Sequence, residues 1–469
     1  MEARSTPWPW VGILAATCIV LLLAAFVFTM GSRPLHADES VQWSLVRDLH
    51  EGQPYSVNQD RFHGPTLVFL TQLVSGMLHM APNELGPIFL RAIPFCFGLS
   101  LVVLPWTLPG VSRRAATVSA VALLLAAGFG RYAGYYVQEV LLAAGFAWGA
   151  SWWLRGAPHG HRGLLIASGG AFGFALACKV TALAYLLCFG LALLACRRRE
   201  LTLRNLVCFF GGLLVSWGLF QSCFLTDLRG LGAWGHQLLR SFGVATGNDE
   251  GTLTIDSPLP WLAILLLWAA LAGVRWCGFA HGRRFAHLAG DPAFFCATLI
   301  LGFHLLLPYK TPWLLLTPTV LLVALVLPLG FEEPAFRRFS AWAYVALLIG
   351  FGLDRPFSNP GHTATSSETV RFAEEVSRME QAYGAARFYV AIEGGHYWPL
   401  PYYLRSQKVG YGVFAGAERA PIRLLPMTDS SRPAVAGYEA FALPVRTGEF
   451  YWVLVAKGYE SHFTALRGP

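Results

Sequence analysis

The feature that most constrains this chain is a recurring one. Eleven apolar runs of 15 to 23 residues lie at 11–30, 86–108, 115–130, 138–154, 162–178, 180–196, 205–224, 258–278, 292–308, 312–330 and 339–353. A helix needs about 20 predominantly apolar residues to cross a bilayer. Inside the hydrocarbon every backbone polar group must also be satisfied internally, which favours helices. The expectation is therefore a polytopic α-helical membrane protein with about 11 transmembrane helices. Composition points the same way: of 469 residues, 55% are hydrophobic and 13% charged, about half the charged share of an ordinary soluble domain. That balance excludes a soluble enzyme and a disordered chain.

The formal charge of +8 gains meaning from where the cations sit. A twelfth segment, 65–80, is interrupted by Thr66, Thr71, Gln72, Ser75 and His79, which suits a helix lying at the interface rather than crossing. With that segment flat and the N-terminus cytoplasmic, Arg113 and Arg114, Arg155 and Arg162, Arg197 to Arg199, Arg283 and Arg284, and Arg337 and Arg338 all fall on the cytoplasmic side. If the segment crossed, each set would move outside, against the positive-inside rule. The basic balance thus serves topology and calls for no nucleic acid. All nine cysteines lie in or beside apolar runs, and no CxxC spacing occurs, so neither a stapled external domain nor a structural zinc site is expected. The run 11–30 is longer than the apolar region of a signal peptide and reads as a retained first span.

The outer face then collects 31–85, the stretch 131–138, the turn around Lys179, the loop 225–257, the turn at Tyr309 and Lys310, and everything after Asp354. The expected division is a transmembrane domain, 1–353, with its first outer loop at 31–85, and an external α/β domain, 354–469. The tail carries a helical pattern at 366–383 and strand-like runs at 388–392 and 451–456.

Several polar residues sit where an apolar chain would not place them by default. Asp38 and Glu39 follow the first span directly and precede Val41, Leu45 and Leu49, which recur at the spacing of a short interfacial helix. In one account Asp38 caps that helix and Glu39 favours its positive end; in the other they are reactive carboxylates. Glu139 ends the stretch Arg131-Tyr132-Ala133-Gly134-Tyr135-Tyr136-Val137-Gln138 at the mouth of an apolar helix, and the tyrosines suit an aromatic belt. Lys179 and Lys310 are wedged between apolar runs. Either alone can snorkel to headgroups, while two such cations facing the bundle suggest a bound anion such as a lipid phosphate. His63, in His63-Gly64-Pro65, reads first as a solvated histidine and second as a phosphate contact. Asp227, Asp249, Glu250 and Asp256 read as solvated acids, with a divalent metal ion as their second use. No Walker loop, strand-to-helix GxGxxG or HExxH is present, so ATP-driven transport has no motor here.

Taken together, an acidic pair after the first span, a second acid in the next outer turn and isolated lysines between later spans resemble the GT-C membrane glycosyltransferases. The likeness is to the branch of protein O-mannosyltransferases and the lipid A aminoarabinose transferase. Asp38-Glu39 matches the superfamily's DE motif, His63-Gly64-Pro65 stands in place of a basic-residue-plus-proline motif, Glu139 matches the second acid and Lys179 a lysine after the fifth span. His63 stands where the aminoarabinose branch has lysine, and Glu139 where it has aspartate. RYAGYYVQE, PYKTPW and YWPLPYYLR at 397–405 look like a subgroup labelled flippase-activity-associated, of archaeal N-glycosylation type.

The resemblance implies a GT-C-like fold and a donor sugar linked through one phosphate to a polyprenol, transferred at the outer face to a lipid, glycan or protein acceptor. Transfer develops oxocarbenium character at the anomeric carbon and negative charge on the departing phosphate, so a base on one side and cations on the other suit it. Asp38 is then the base, Glu39 and Glu139 orient the acceptor or supply charge, and Lys179, Lys310, Arg131, Tyr136, Tyr309 and His63 hold the phosphate. These carboxylates and ammonium groups are expected to converge beyond the hydrocarbon slab. A non-catalytic carrier that binds or helps reorient the same lipid is the alternative. An ion-coupled transporter instead predicts a site near the bilayer midplane.

Overall fold

Helix lengths divide the apolar sequence by what each piece can reach. The computed structural model describes residues 17, 20, 23, 24, 27, 28, 30–55, 63–126, 129–245, 262, 264–269, 271, 272, 291–307, 312–328, 364–384, 388–395, 397–412, 414–428, 431–446 and 448–459, with backbone alone at 130, 131, 242–245 and 312. The main helices are α1 Ala37–His50, α2 Thr66–Met77, α3 Pro87–Val103, α4 Arg113–Leu125, α5 Glu139–Gly156, α6 Arg162–Cys178, α7 Thr181–Arg197, α8 Leu203–Gln221, α9 Arg229–Ala245, α10 Pro292–Leu306 and α11 Ser367–Tyr383. Among the described residues, three helices are long and apolar enough to cross a membrane: Pro87–Thr107, Thr181–Glu200 and Leu203–Gln221. Shorter apolar helices cover Thr66–Met77, Arg162–Cys178, Pro292–Leu306 and Trp313–Val326. The expected run 339–353 lies outside the described residues, as do most of 11–30 and 258–278. With 12 residues, α2 extends about 18 Å, well short of a hydrocarbon core of about 30 Å.

The chain forms two compact units. The first comprises Met1–Gly31, Gln53–Leu73 and Ile88–Ser358, and the second Ser32–Gly52, Val74–Pro87 and Asn359–Pro469. In the first, α6 is packed on both sides. Against α8 the backbones approach too closely for side chains: a Cβ on Gly169 would lie 1.8 Å from the Phe209 carbonyl oxygen, one on Gly173 2.3 Å from that of Leu213, and one on Gly212 2.1 Å from that of Ile166. Small residues are what permit such crossings between membrane helices. Toward α5 and α7 the space is filled by rings, with Phe146 edge-on to Phe172 at 4.9 Å and Phe172 5.2 Å from Phe189. Residues 229–245, expected as loop, form α9 instead, because Leu231, Trp234 and Leu238 recur at helical spacing. Asp227 is buried with its carboxylate accepting from Arg229 Nε at 3.4 Å, which corrects its reading as a solvated acid. Its side chain is 7% exposed in the turn between α8 and α9; Asp249, Glu250 and Asp256 lie outside the described residues.

The second unit is built on a five-stranded sheet, β1 Val390–Ile392, β2 Val409–Tyr411, β3 Ile422–Pro426, β4 Tyr438–Arg446 and β5 Glu449–Ala456, in the order β2-β1-β3-β5-β4. β1 runs parallel to β2 and β3, whereas β5 is antiparallel to β3 and β4. Ser366 caps α11, its Oγ accepting from Thr369 N at 3.1 Å, and the helix packs Phe372, Val376 and Met379 against Val390, Leu424 and Val453. Helix α1 belongs to the same unit. Trp43 Nε1 donates to the Pro82 carbonyl at 2.9 Å and its ring meets Tyr402 edge-on at 5.3 Å. The Leu35 N–H donates to Tyr403 Oη at 2.6 Å, and Thr365 Oγ1 donates to the Leu35 carbonyl at 2.5 Å. Tyr402 and Tyr403 of the YWPLPYYLR stretch are therefore occupied in internal packing.

The crossing of α6 and α8 generates a stability prediction. Gly169→Val should lower the apparent melting temperature of the detergent-solubilised chain, by an overpacking cost of about 1–3 kcal/mol or more. Gly190→Ala, which adds a methyl where nothing lies within 4 Å, should leave it unchanged or slightly raised. Equal melting of the two variants would contradict the close approach.

Candidate functional site

In the first unit the polar residues gather where two helices end. Helix α5 begins at Glu139, so its carboxylate sits on the positive helix end; α6 ends at Cys178, with Lys179 as its extended C-cap. Each charge is favoured by its own helix dipole. The two ends meet: Lys179 Nζ donates to Glu139 Oε1 at 2.8 Å, and both side chains are only 9% exposed. A buried charge is tolerable only when paired, so each residue accounts for the other.

The turn His63-Gly64-Pro65 is pinned beside this pair. Gly64 N–H donates to the Cys178 carbonyl at 3.0 Å, and a Cβ on Gly64 would fall 1.8 Å from the Ala177 carbonyl oxygen. Only glycine can lie so close to the end of α6. Tyr55 Oη donates to the carbonyls of His63, at 2.7 Å, and Gly64, at 3.3 Å, and Gln138 Nε2 donates to the Gly64 carbonyl as well. Tyr136 Oη lies 2.6 Å from Thr71 Oγ1 of α2. Burial, and after it the Lys179 ammonium, push the His63 pKa down from 6.5 to about 3, against an opposing pull from Glu139. The imidazole is thus neutral at physiological pH, a hydrogen-bonding group rather than a cation.

His63, Tyr136, Glu139 and Lys179 are therefore brought into one neighbourhood. Tyr309 and Lys310 lie outside the described residues, and so does the side chain of Arg131. Sequence reasoning passed over Tyr55 and Gln138. The signal available was a glutamine directly before the acid, in a run otherwise read for its aromatics.

In the second unit the acidic pair divides. His36, not Asp38, is the N-cap of α1: its Nδ1 accepts from Asp38 N at 3.1 Å, while Glu39 Oε2 accepts from His36 N at 2.9 Å to complete a capping box. Glu39 is fully buried in this cap. The Asp38 side chain is 56% exposed, 3.6 Å from His36 Nδ1. The capping account of this pair is corrected accordingly, because the extended backbone at His36 puts its ring, rather than the Asp38 carboxylate, over the first helical N–H groups. Among the described residues no group of three or more His, Cys, Asp or Glu is placed to hold a metal ion.

No protein-family model matches the chain, and no curated protein matches it. Solved structures do. ArnT from Cupriavidus metallidurans bound to undecaprenyl phosphate is similar at a TM-score of 0.63 and 15% identity, over 99% of this chain and 100% of that one. Its apo state gives 0.61 and 14%, over 98% and 100%. The apo oligosaccharyltransferase of Archaeoglobus fulgidus gives 0.53 and 10%, over 87% of this chain and 69% of that one. At these identities the likeness is one of fold, and the expected GT-C-like fold is borne out.

Two outcomes follow from the helix-end pair and its histidine. Lys179→Met strands the Glu139 carboxylate and should cost about 3–5 kcal/mol, read as a fall in the denaturant midpoint of the solubilised chain. Lys179→Met with Glu139→Leu should recover most of that loss, and a double variant no better than the single one would refute the pairing. For His63 the folded pKa lies below the unfolded 6.5, so the unfolded chain takes up the proton first. Its contribution is complete above pH 6.5 and declines as pH falls toward 3. Replacing His63 with Asn should flatten the loss of melting temperature between pH 7 and pH 5; an unaltered slope would contradict the depressed pKa.

Proposed function

We propose that this chain is a membrane glycosyltransferase that moves a sugar from a polyprenyl-phosphate donor to an acceptor hydroxyl, a hexosyltransferase in type. One observation carries the reading. A buried ammonium, Lys179, is held ready at a helix end, within a fold shared over nearly the whole chain with a protein whose structure contains undecaprenyl phosphate. A prepositioned cation in a poorly solvated setting is what a leaving phosphate needs, because the charge it gains in the transition state meets a group that does not have to reorganise.

In this proposal the acceptor oxygen bonds to the anomeric carbon, the carbon–oxygen bond to phosphate breaks, and polyprenyl phosphate leaves. Asp38 takes the acceptor's proton, a role for which its exposed carboxylate is suited. Glu139 holds Lys179, and Glu39, buried in the cap of α1, fixes the helix that carries Asp38. Lys310, Arg131 and Tyr309 join Lys179, Tyr136 and His63 at the phosphate, with His63 contributing a neutral hydrogen bond. The protein resides in the cell membrane with a cytoplasmic N-terminus and an external C-terminal domain. Membrane lipids surround it, the acceptor is a lipid, glycan or protein, and its motifs resemble those of the flippase-activity-associated subgroup.

Incubating the purified chain with a panel of polyprenyl-phosphate sugars and an acceptor extract should release free polyprenyl phosphate. Asp38→Asn should lower that release roughly a hundred- to ten-thousand-fold while leaving lipid-phosphate binding intact. Binding without release from any donor would favour the non-catalytic carrier and overturn the enzyme assignment.

A further inference from the structure

Gln138 is used at one end only. It is the N-cap of α5 and fully buried, yet its side chain makes no cap hydrogen bond. The amide nitrogen donates to the Gly64 carbonyl. Only the nitrogen end of an amide can face a carbonyl, so that contact fixes the flip and turns Oε1 the other way. There, among the described residues, Oε1 meets no donor. A buried acceptor left without a donor is a net cost to the fold, and buried polar atoms of this kind call for an explanation. The next residue is Glu139, paired with Lys179, so Gln138 stands one residue along the chain from the proposed phosphate site.

We infer that Gln138 Oε1 accepts a hydrogen bond from a hydroxyl of the donor's sugar, which makes it a sugar-recognition residue. This inference rests on the function proposed above. The chemistry selects among the parts of such a donor: the polyprenyl chain has no polar hydrogen, and an ionised phosphate only accepts. The sugar alone brings O–H donors. The same glutamine therefore does two things. Its nitrogen braces the His63-Gly64 turn, and its oxygen reads whether a sugar is present.

The test compares two ligands on the full-length chain in nanodiscs without acceptor: undecaprenyl phosphate, and undecaprenyl-phosphate hexoses carrying mannose, glucose or galactose. The wild type should bind one of the hexose lipids more tightly than the bare lipid. In Gln138→Met, which keeps the length and removes both amide ends, the lost brace should weaken both ligands, and the hexose preference should in addition shrink roughly three- to tenfold. Tyr55→Phe loosens the same turn without touching Oε1 and should weaken both ligands equally.

Equal weakening of both ligands in Gln138→Met would reduce the residue to a brace and overturn the proposal. So would an unchanged preference, which would leave Oε1 to a structural water. Because Gln138→Met could misfold, the wild type is also tested against monodeoxy forms of the preferred hexose. One hydroxyl position should account for a loss of three- to tenfold, and no sensitive position overturns the inference. Failure of the wild type to bind undecaprenyl phosphate at all would instead remove the proposed function. A donor preference that survives while only acceptor use is impaired would assign the oxygen to the acceptor and reject the donor sugar.

Discussion

Two opposite charges at the ends of two helices set the terms for everything around them. Glu139 and Lys179 are buried together at 2.8 Å, and neither could stay ionised there alone. Their helices supply part of the compensation, since a carboxylate at a helix start and an ammonium at a helix end each lie along the local dipole. The remainder comes from proximity, which demands that α5 and α6 hold their ends in register. The aromatic packing of Phe146, Phe172 and Phe189 and the glycine crossing of α6 with α8 provide that rigidity. A cation prepared in this way is constrained in place before any ligand arrives, which is the condition under which electrostatic stabilisation is worth most.

The turn at His63 extends the same logic. Its backbone is gripped from three directions, by Cys178, Tyr55 and Gln138, and glycine is required at position 64 by sheer closeness. What this arrangement presents is an imidazole whose proton has been driven off by burial and by Lys179. A lysine at that position would set a second ammonium beside the first, with one carboxylate to balance both. Histidine avoids that repulsion, so a neutral ring at position 63 is electrically consistent with the Lys179 ammonium beside it.

Much of this was legible in the sequence because hydrophobic period is a strong signal. The runs 162–178, 180–196 and 205–224 became α6, α7 and α8 nearly residue for residue, and the pattern at 366–383 became α11 with its Ser366 cap. The strand-like runs at 388–392 and 451–456 hold β1 and β5. Strands β2, β3 and β4 were not anticipated: β2 has three residues centred on a glycine, while β3 and β4 contain Pro426 and Pro444, and proline weakens a strand reading. The His36 cap was hidden for a related reason, since histidine stands outside the usual capping set. Gln138 and Tyr55 were missed because what they bind is backbone, and no side-chain pattern advertises a carbonyl partner.

The second unit explains why a motif in the tail accompanies an acidic pair more than 350 residues earlier. Helix α1 is held by that tail: Trp43 packs on Tyr402, the backbone of Leu35 bonds to Tyr403 and Thr365, and Arg405 reaches the Asn83 carbonyl at 3.0 Å. The ring of Tyr402 is in turn covered by the Arg405 guanidinium at 4.2 Å. Removing the tail therefore strips partners from the helix that carries Asp38, so a truncated chain would disturb that helix whatever else the tail does.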